Sequence, residues 1–472
     1  MIPPRLQFLT KPDLPPAQLA ELFGTAGEEI YLVGGSVRDA FLGRDLEDFD
    51  FATRARPERI AKLLKPWADV IYDVGARFGT VGARKDGRTV EVTTYRNEVY
   101  RDDSRKPHVT YSDDIMVDLS RRDFTVNAVA LSLPDLEAVD PYGGLADIAR
   151  ETLKTPLEPE ISFGDDPLRM LRLFRFQAVL DFVPDETAVK AVTEMAQRLE
   201  IVSAERIRDE LSKLLSAEAP GDALRMIVRT GLAAHFLPEL PGLAMEQDPH
   251  QRHKDVLEHT FAVVNKTSPQ LKLRLAALLH DVGKPDTREF GPGGVTFHHH
   301  EVVGARMARQ RLRDLRYPKE TVDDVSRLVY LHLRPHTLKL GWTDSAVRRY
   351  VRDAGHLLDP LNELVRCDVT TANRRRELEI QKGIDELAER IAILSEQEEL
   401  DRLRAPIDGN DVMRYLGMDP GPAVGEIMTI LLEKRIEYGP YPASEAYGLA
   451  RSWALEQGIA DPGPAPDLEE EE

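Results

Sequence analysis

No other stretch limits what this chain can fold into as much as residues 30 to 50, Ile-Tyr-Leu-Val-Gly-Gly-Ser-Val-Arg-Asp-Ala-Phe-Leu-Gly-Arg-Asp-Leu-Glu-Asp-Phe-Asp. Ile30 to Val33 is apolar and reads as a buried strand. Gly34-Gly35 reads as a tight turn, and Ser36 as the cap of a short helix that stops at Gly43. Glycines let a phosphate approach the backbone, a helix N-terminus offers unpaired N–H groups, and Arg38 adds forked donors. Asp48 to Thr53 is then extended, and a period of two sends Asp48 and Asp50 to one face and Phe49 and Phe51 to the other. Mg²⁺ prefers one or two carboxylates completed by phosphate oxygens. Alone, a Gly-Gly pair is usually just a turn and an Asp-x-Asp a solvated edge. In this order and this close together, they point to two-metal nucleotidyl transfer.

A chain of 472 residues is too long for one core and predicts roughly two to four domains. Its hydrophobic fraction of 42% and charged fraction of 30% are those of a soluble globular protein. No apolar run approaches the roughly 18 to 20 residues needed to span a bilayer, and Met-Ile-Pro-Pro-Arg-Leu does not read as a secretory signal. The expectation is a cytoplasmic protein with no membrane partner. The single cysteine, Cys367, excludes an intrachain disulfide and a cysteine-based zinc cage, and reads as a small buried hydrophobe. A net charge of −19 and a pI near 5.2 exclude indiscriminate nucleic-acid binding. Any RNA partner must be a folded RNA held by local basic, shape-reading surfaces.

Residues 1 to 27 read as a loose Pro-rich lead with one short helix. Pro57 opens a helix to Leu64, and short strands follow at Val70 to Asp73 and Thr80 to Arg84. The turn Lys85-Asp86-Gly87-Arg88 leads into Thr89 to Tyr95, where Glu91 stands on the face opposite Val90 and Val92. A third carboxylate there positions or deprotonates an attacking hydroxyl, although a strand glutamate alone more often just faces solvent. Residues 96 to 114 form a charged, irregular connection long enough to be functional or disordered. Within Asp118-Leu-Ser-Arg-Arg-Asp-Phe-Thr-Val-Asn-Ala128, Arg122 suits phosphate or ribose and Asp123 suits orienting it or accepting a hydroxyl. The bland alternative is a surface ion-pair cluster.

Phe163 to Val179 reads as one amphipathic helix capped near Asp165, with Met170, Leu171, Phe174 and Ala178 on one stripe. Asp166, Arg169, Arg172 and Arg175 lie on the opposite arc at a spacing of about three, which gathers them on one surface. Acceptors beside forked donors pair with the Watson–Crick edges of C and of A, while Arg172 and Arg175 meet triphosphate or ribose. Without further context the same pattern is an exposed, salt-bridged face. Ser203 caps a later helix, and another runs from Asp222 to Thr230 and ends at Gly231.

Histidines and aspartates then recur: His259, His280-Asp281 at the end of an apolar helix, His298-His299-His300, His332 and Asp368. Imidazole and carboxylate in this order suit a mononuclear or dinuclear metal site, although isolated histidines are mostly structural. Leu378 to Arg404 reads as a long solvated helix and Pro406 onward as a final helical hairpin. Pro462 to Glu472 reads as a disordered acidic tail.

Gly34-Gly35-x-Val37-Arg38-Asp39 followed by Asp48-x-Asp50 resembles motif A of the class II tRNA nucleotidyltransferases and bacterial poly(A) polymerases. Arg121-Arg122-Asp123-Phe124-Thr125-x-Asn127-Ala128 is similar to their motif B, and the run from Phe163 to Phe176 to their motif D, with Asp165 where many relatives have Glu. Leu-Leu-His280-Asp281-Val-Gly-Lys284 resembles an HD-domain phosphohydrolase, with His300 the best fit of its triplet to the third position.

The resemblance implies an α+β fold: a polymerase-beta-like nucleotidyltransferase head (mixed sheet with helices), then all-helical neck, HD and C-terminal domains. The implied boundaries are 1–27 lead, 28–155 head, 156–242 neck, 243–376 HD domain, 377–458 tRNA-contacting helices and 459–472 disordered tail. It implies Mg²⁺-dependent addition of CCA to the tRNA 3′ end from CTP and ATP. Asp48 and Asp50 hold the metals, Glu91 is the third carboxylate, Gly35 and Arg38 take the triphosphate, and Arg122 takes the nucleotide. Asp166 and Arg169 read the base. Residues 96 to 114 resemble the flexible loop of full CCA-adding enzymes. His259, His280, Asp281, His300, His332 and Asp368 imply a second divalent metal (Ni, Mn, Co or Mg). The alternatives are a poly(A) polymerase and an HD-type phosphohydrolase or cyclic phosphodiesterase.

Overall fold

Alternation of aromatic and acidic residues along residues 48 to 53 becomes, in the computed structural model of the chain, the middle of a seven-stranded sheet. The structure describes residues 3–46, 48–72, 79–99, 108–245, 255–291, 294–335, 342–369, 374–398 and 404–466. It divides into two units, residues 1–244 with 311–317 and residues 245–310 with 318–472.

The first unit opens with a 3₁₀ turn, Pro4–Thr10, and helix α1, Pro15–Thr25. α1 is the one short helix expected, but the segment is not loose: Leu6, Leu9, Leu19 and Phe23 are fully buried against the sheet. There follow β1 (Tyr31–Val33), α2 (Gly35–Leu42), β2 (Asp48–Thr53), α3 (Pro57–Leu64), β3 (Val70–Tyr72), β4 (Thr80–Lys85) and β5 (Arg88–Thr94). Then come β6 (Arg96–Val99), β7 (His108–Tyr111), α4 (Ile115–Ser120), β8 (Ala130–Ser132), β9 (Ala138–Val139) and α5 (Gly144–Ala149). The sheet order is β3-β4-β5-β2-β1-β8-β9, and β2 with β5 is its parallel pair. Phe49, Phe51, Val90 and Val92 face residues of α1, α2 and α3 in one apolar cluster, which leaves the other face of β2 and β5 for polar residues.

β6 and β7 correct the expectation of an irregular connection: Arg96 pairs with Tyr111 and Val99 with His108 in an antiparallel ladder. Its centre, residues 100–107, lies outside the described residues, as do residues 73–78.

The helical remainder of this unit is α6 (Pro159–Asp165), α7 (Leu168–Leu180), α8 (Glu186–Met195), α9 (Ala204–Leu215), α10 (Gly221–Arg229) and α11 (Glu239–Gly242). The single helix expected over residues 163 to 179 is broken. Pro167 disfavours the helical region for its predecessor, and Asp166 is extended at φ −138°, ψ 99°. Asp165 is therefore the last residue of α6 and not a cap.

In the second unit α12 (Val256–Lys266), α13 (Leu271–Leu279), α14 (His300–Asp314, of which residues 311–314 count with the first unit), α15 (Lys319–Leu331), α16 (Asp344–Ala354) and α17 (Leu358–Asp368) precede a long α18 (Arg374–Glu398). α13 is buried all round, Arg274 included, whose Nε donates to the carbonyls of Thr267 and Ser268. α18 is not wholly solvated as expected, because Ile384, Leu387, Ile391 and Leu394 form a buried stripe at intervals of three and four.

Three helices, not a hairpin, follow: α19 (Gly409–Leu416), α20 (Pro422–Tyr438) and α21 (Ala443–Glu456). The start of the tail is held as well. Arg451 donates twice to Asp461 and the Tyr415 hydroxyl donates to the Gly463 carbonyl at 2.7 Å. Residues 467–472 lie outside the described residues. No described helix is long and apolar enough to cross a membrane.

Candidate active site

Asp48, Asp50 and Glu91 share one face of the sheet. In the parallel β2–β5 pair Asp50 is opposite Glu91 and Asp48 opposite Thr89. Burial pushes the Asp50 carboxyl above the ordinary range; Arg122 and Arg38 pull it back, and Asp48 pushes it further up. Glu91 is raised by burial and then by the charges of Asp50 and Asp48. Carboxylates that raise one another in a partly desolvated place are a receptor for cationic charge.

The edge of this receptor is set by the glycine turn. Gly34 has φ +69°, a conformation that favours glycine, and a Cβ there would stand 2.7 Å from Arg122 Nη1 and 3.6 Å from Asp50 Oδ2. The expected cap is corrected here: Gly34, not Ser36, precedes the first residue of α2. Ser36 instead ties the helix to the strand. Its Oγ accepts from the Asp50 N–H at 2.9 Å and donates to the Asp48 carbonyl at 3.3 Å. Gly35 is the first residue of α2 and lies under the Arg38 guanidinium.

Behind the turn runs a ladder of buried charge. Arg38 donates to both Asp39 oxygens and, at 2.6 Å, to Asn127 Oδ1. Asn127 Nδ2 donates to Asp123, which also accepts from Arg172 Nε at 3.0 Å and Nη2 at 2.5 Å. Arg172 reaches Glu210 of α9 at 3.4 Å, and Arg175 Nε lies 2.6 Å from the same carboxylate. Burial pushes Asp123 up, but Arg172 and the Asn127 amide outweigh it and hold the carboxyl far below its usual range. Asp118 is likewise opposed by burial and overridden by Arg121 and Arg122, which donate to its two oxygens at 2.6 and 3.1 Å. Arg122 is thus aimed at Gly34 and Asp50 by a fully buried aspartate.

Asp166 and Arg169 are not the side-by-side pair expected on one helical face. Asp166 precedes Pro167 outside α7, and its oxygens accept from Arg206 Nη2 at 2.7 Å and from the Leu168 N–H at 3.2 Å. Arg169, at the start of α7, donates through Nη1 to Ser162 and through Nη2 to the carbonyl of Arg121. That last bond links the helix to the residue beside Arg122. Arg172 and Arg175 follow on the same helix, as their spacing predicts.

Among the residues that the sequence reasoning passed over, Glu210 has the clearest function in this geometry. Its only sequence signal is its place in the charged run after Ser203, and that residue does cap α9.

In the second unit all six proposed ligands converge. His259 Nε2 lies 2.9 Å from Asp368 and 3.2 Å from His280 Nε2, which lies 3.2 Å from Asp281. Asp281 also meets His300 Nε2 at 3.4 Å and Lys284 at 2.6 Å. The Nδ1 atoms of His280, His300 and His332 lie 2.8, 2.8 and 2.6 Å from the carbonyls of Ala277, Phe297 and Val329, each three residues back. Nδ1–H donation to those oxygens turns the three Nε2 atoms inward. The Nε2 atoms of His300 and His332 are buried without a hydrogen-bond partner among the described residues. Two sets, His259-His280-Asp368 and Asp281-His300-His332, have donor atoms close enough to share an ion. Burial opposes charge on His280, but Asp281 and Asp368 override it and lift its pKa to about 10. Burial and the neighbouring His280 lower His332 to about 3. Gly283 makes the approach possible, since a Cβ there would sit 2.3 Å from the His300 carbonyl oxygen.

Comparisons with known proteins agree with this division. Residues 30–154 match the Poly A polymerase head domain, residues 181–243 the probable RNA and SrmB-binding site of polymerase A, and residues 256–393 the HD domain. An A-adding tRNA nucleotidyltransferase of Deinococcus radiodurans is 32% identical over 440 residues, covering 90% of this chain and 95% of that protein. A CCA-adding enzyme of a Geobacillus species is 28% identical over 414 residues, 88% of this chain and 90% of its own. Among solved structures, the Bacillus stearothermophilus CCA-adding enzyme in complex with CTP aligns with a TM-score of 0.70 at 24% identity over 97% of this chain and 99% of that one. Both the nucleotidyltransferase head and the HD domain are of kinds that use divalent metals.

Proposed function

We propose that this chain, which belongs to the tRNA nucleotidyltransferase and poly(A) polymerase family, adds CCA to the 3′ end of tRNA from CTP and ATP. The observation that carries this reading is the acidic face of β2 and β5 abutting Gly34 and Arg122. Mg²⁺ fits Asp48 and Asp50, where burial first, and the neighbouring carboxylate charges after it, raise Asp50 and Glu91. When bound, the ions would neutralise the triphosphate and ease deprotonation of the tRNA terminal hydroxyl.

In this mechanism the chain supplies position and charge. The α2 N-terminus with Gly35, and Arg38, receive phosphate oxygens; Arg122 holds the nucleotide; Glu91 orients or accepts the proton of the attacking hydroxyl. Arg172 and Arg175 complete the cationic wall toward triphosphate and ribose. Base choice falls to Asp166 and Arg169, whose acceptors and donors match the pairing edges of C and A after exchange of their present contacts with Arg206 and Ser162. The tRNA is bound from the neck and the C-terminal helices, and the enzyme works in the cytoplasm.

Incubating the protein with tRNA lacking its terminal CCA, first with CTP alone and then with both nucleotides, tests the reading. Addition of CC and then A is expected. A second reading is favoured by the Deinococcus radiodurans relative, named as A-adding: a single A on tRNA already ending in CC, with no use of CTP, would establish it instead. Long A tails on any RNA would establish a poly(A) polymerase.

In the second unit the inward Nε2 atoms, two of them without a hydrogen-bond partner among the described residues, fit a divalent ion such as Ni²⁺, Mn²⁺, Co²⁺ or Mg²⁺ that would take the place of the His280 proton, held by His259, His280, Asp281, His300, His332 and Asp368. A metal there would supply Lewis-acid chemistry for phosphoester hydrolysis. Phosphate release that disappears in His280→Ala while tRNA-end repair disappears in Asp48→Ala would assign the two activities separately.

A further inference from the structure

Phe176 has an environment that burial of an apolar ring does not account for. The ring is almost fully enclosed, yet guanidinium carbons of Arg175, Arg38 and Arg172 lie 3.8, 5.4 and 5.6 Å from its centroid. Phe124 meets it edge-on at 5.5 Å and fixes its tilt. Each guanidinium also has a carboxylate neighbour, Asp39, Asp123 or Glu210.

Carboxylates and an aromatic face hold cations in different ways. A carboxylate consumes N–H donors and cancels charge, whereas the ring quadrupole attracts a cation while leaving its N–H groups available. The ring therefore collects positive side chains from two separate elements, α2 and α7, without neutralising them.

We infer that Phe176 is a positioning residue that gathers Arg38, Arg172 and Arg175 into one receptor for the triphosphate of the incoming nucleotide, whichever base it carries. The inference rests on the proposed assignment of those arginines to the triphosphate and goes beyond it by naming what assembles them. An aliphatic side chain of similar volume would fill the core but offer the cations nothing.

The experiment measures equilibrium binding of Mg-CTP, Mg-ATP and inorganic tripolyphosphate to the full chain, with Phe176→Leu and Phe176→Tyr beside the wild type. Phe176→Leu is expected to weaken all three ligands by one common factor of about tenfold. At saturating nucleotide its turnover stays within about twofold of wild type and its preference for CTP over UTP is unchanged. Phe176→Tyr, which keeps the π face, restores binding. Unchanged affinities with only a lower melting temperature would reduce Phe176 to core packing and overturn the inference. Unequal losses for CTP and ATP would overturn it too, as would a wild type that does not bind tripolyphosphate. If Phe176→Leu does not fold, Phe176→Met serves with the same expectations. A wild type that incorporates no nucleotide, yet binds tripolyphosphate through this ring, would sink the proposed function and leave the inference standing.

Discussion

The two acidic centres solve opposite problems. The head presents carboxylates on one face of a central strand where Asp48 is exposed and Asp50 is half-covered, and its arginines are already engaged by buried aspartates. The second unit buries His280, Asp281, His300 and His332 and fixes each imidazole through a carbonyl three residues back. One centre leaves coordination places for phosphate oxygens that only a substrate brings, while the other carries its nitrogen and oxygen donors within itself. The head should therefore hold its ions weakly and exchange them at each turnover, and the histidine centre should retain its ion through purification.

The largest effect expected from this contrast is in Asp50→Asn, which keeps shape and removes charge from the acidic face. Nucleotide incorporation should fall on the order of 10³-fold, with metal content after dialysis unchanged. Loss of retained metal in this variant would break the comparison. Next is Asp281→Ala: the metal that survives dialysis, read by elemental analysis, should fall at least about tenfold. Nucleotide incorporation should stay within about twofold if the centres are energetically independent. A brief chelator wash should abolish incorporation by the wild type, restored by Mg²⁺ alone, before it strips the histidine centre.

How much of this was legible beforehand follows from the range of the interactions. Asp48 and Asp50 could be assigned to one face, and Glu91 to the face opposite Val90 and Val92, because strand alternation is local, and those valines are indeed buried; that β5 brings Glu91 beside Asp50 depends on a distant pairing, and only the family resemblance pointed to it. The gathering of His259, His280, Asp281, His300, His332 and Asp368 was legible from residue type and order together with the HD-domain resemblance that picked His300 from its triplet, though not their division into two donor sets. What failed was of two kinds. Helical periodicity ran through Pro167 in the sequence, whereas sterics ended the helix there and took Asp166 off the face of Arg169. The ladder Arg38-Asn127-Asp123-Arg172-Glu210 joins residues 89, 49 and 38 positions apart, and no local pattern encodes such pairings. The looseness expected of residues 1 to 27 was wrong for the same reason, since the burial of Leu6, Leu9, Leu19 and Phe23 depends on a sheet formed later in the chain.

A smaller effect tests whether the head arginines are placed by buried charge. Asp118 is fully enclosed and holds Arg121 and Arg122, so Asp118→Asn should cost about 3 kcal/mol at neutral pH. Its folded-state pKa lies below 3.8 despite burial, because the two guanidinium groups outweigh desolvation. The stabilisation is therefore complete above the unfolded value and lost as pH falls through the folded one. Urea unfolding should show a wide gap between wild type and variant at pH 7 that narrows steadily below pH 3.8. A gap independent of pH would mean that Asp118 acts through shape and not charge.

The smallest effect concerns Ser36, which has no proposed contact with substrate. Its hydroxyl joins the Asp50 N–H and the Asp48 carbonyl, so it sets the register of both carboxylates against the first turn of α2. Ser36→Ala removes one donor and one acceptor at a part-buried place and should cost about 1 kcal/mol of stability. If the strand edge is held by that hydroxyl, turnover falls about fivefold, as expected for sub-ångström displacement of metal-binding oxygens, and the Mg²⁺ concentration for half-maximal rate rises with it. Metal retention by the histidine centre should not change, because three of its imidazoles are oriented by the carbonyls of Ala277, Phe297 and Val329 within their own unit. A variant with reduced stability but an unaltered Mg²⁺ requirement would show that the open centre is as pre-organised as the closed one, and the contrast between them would then lie in exposure alone.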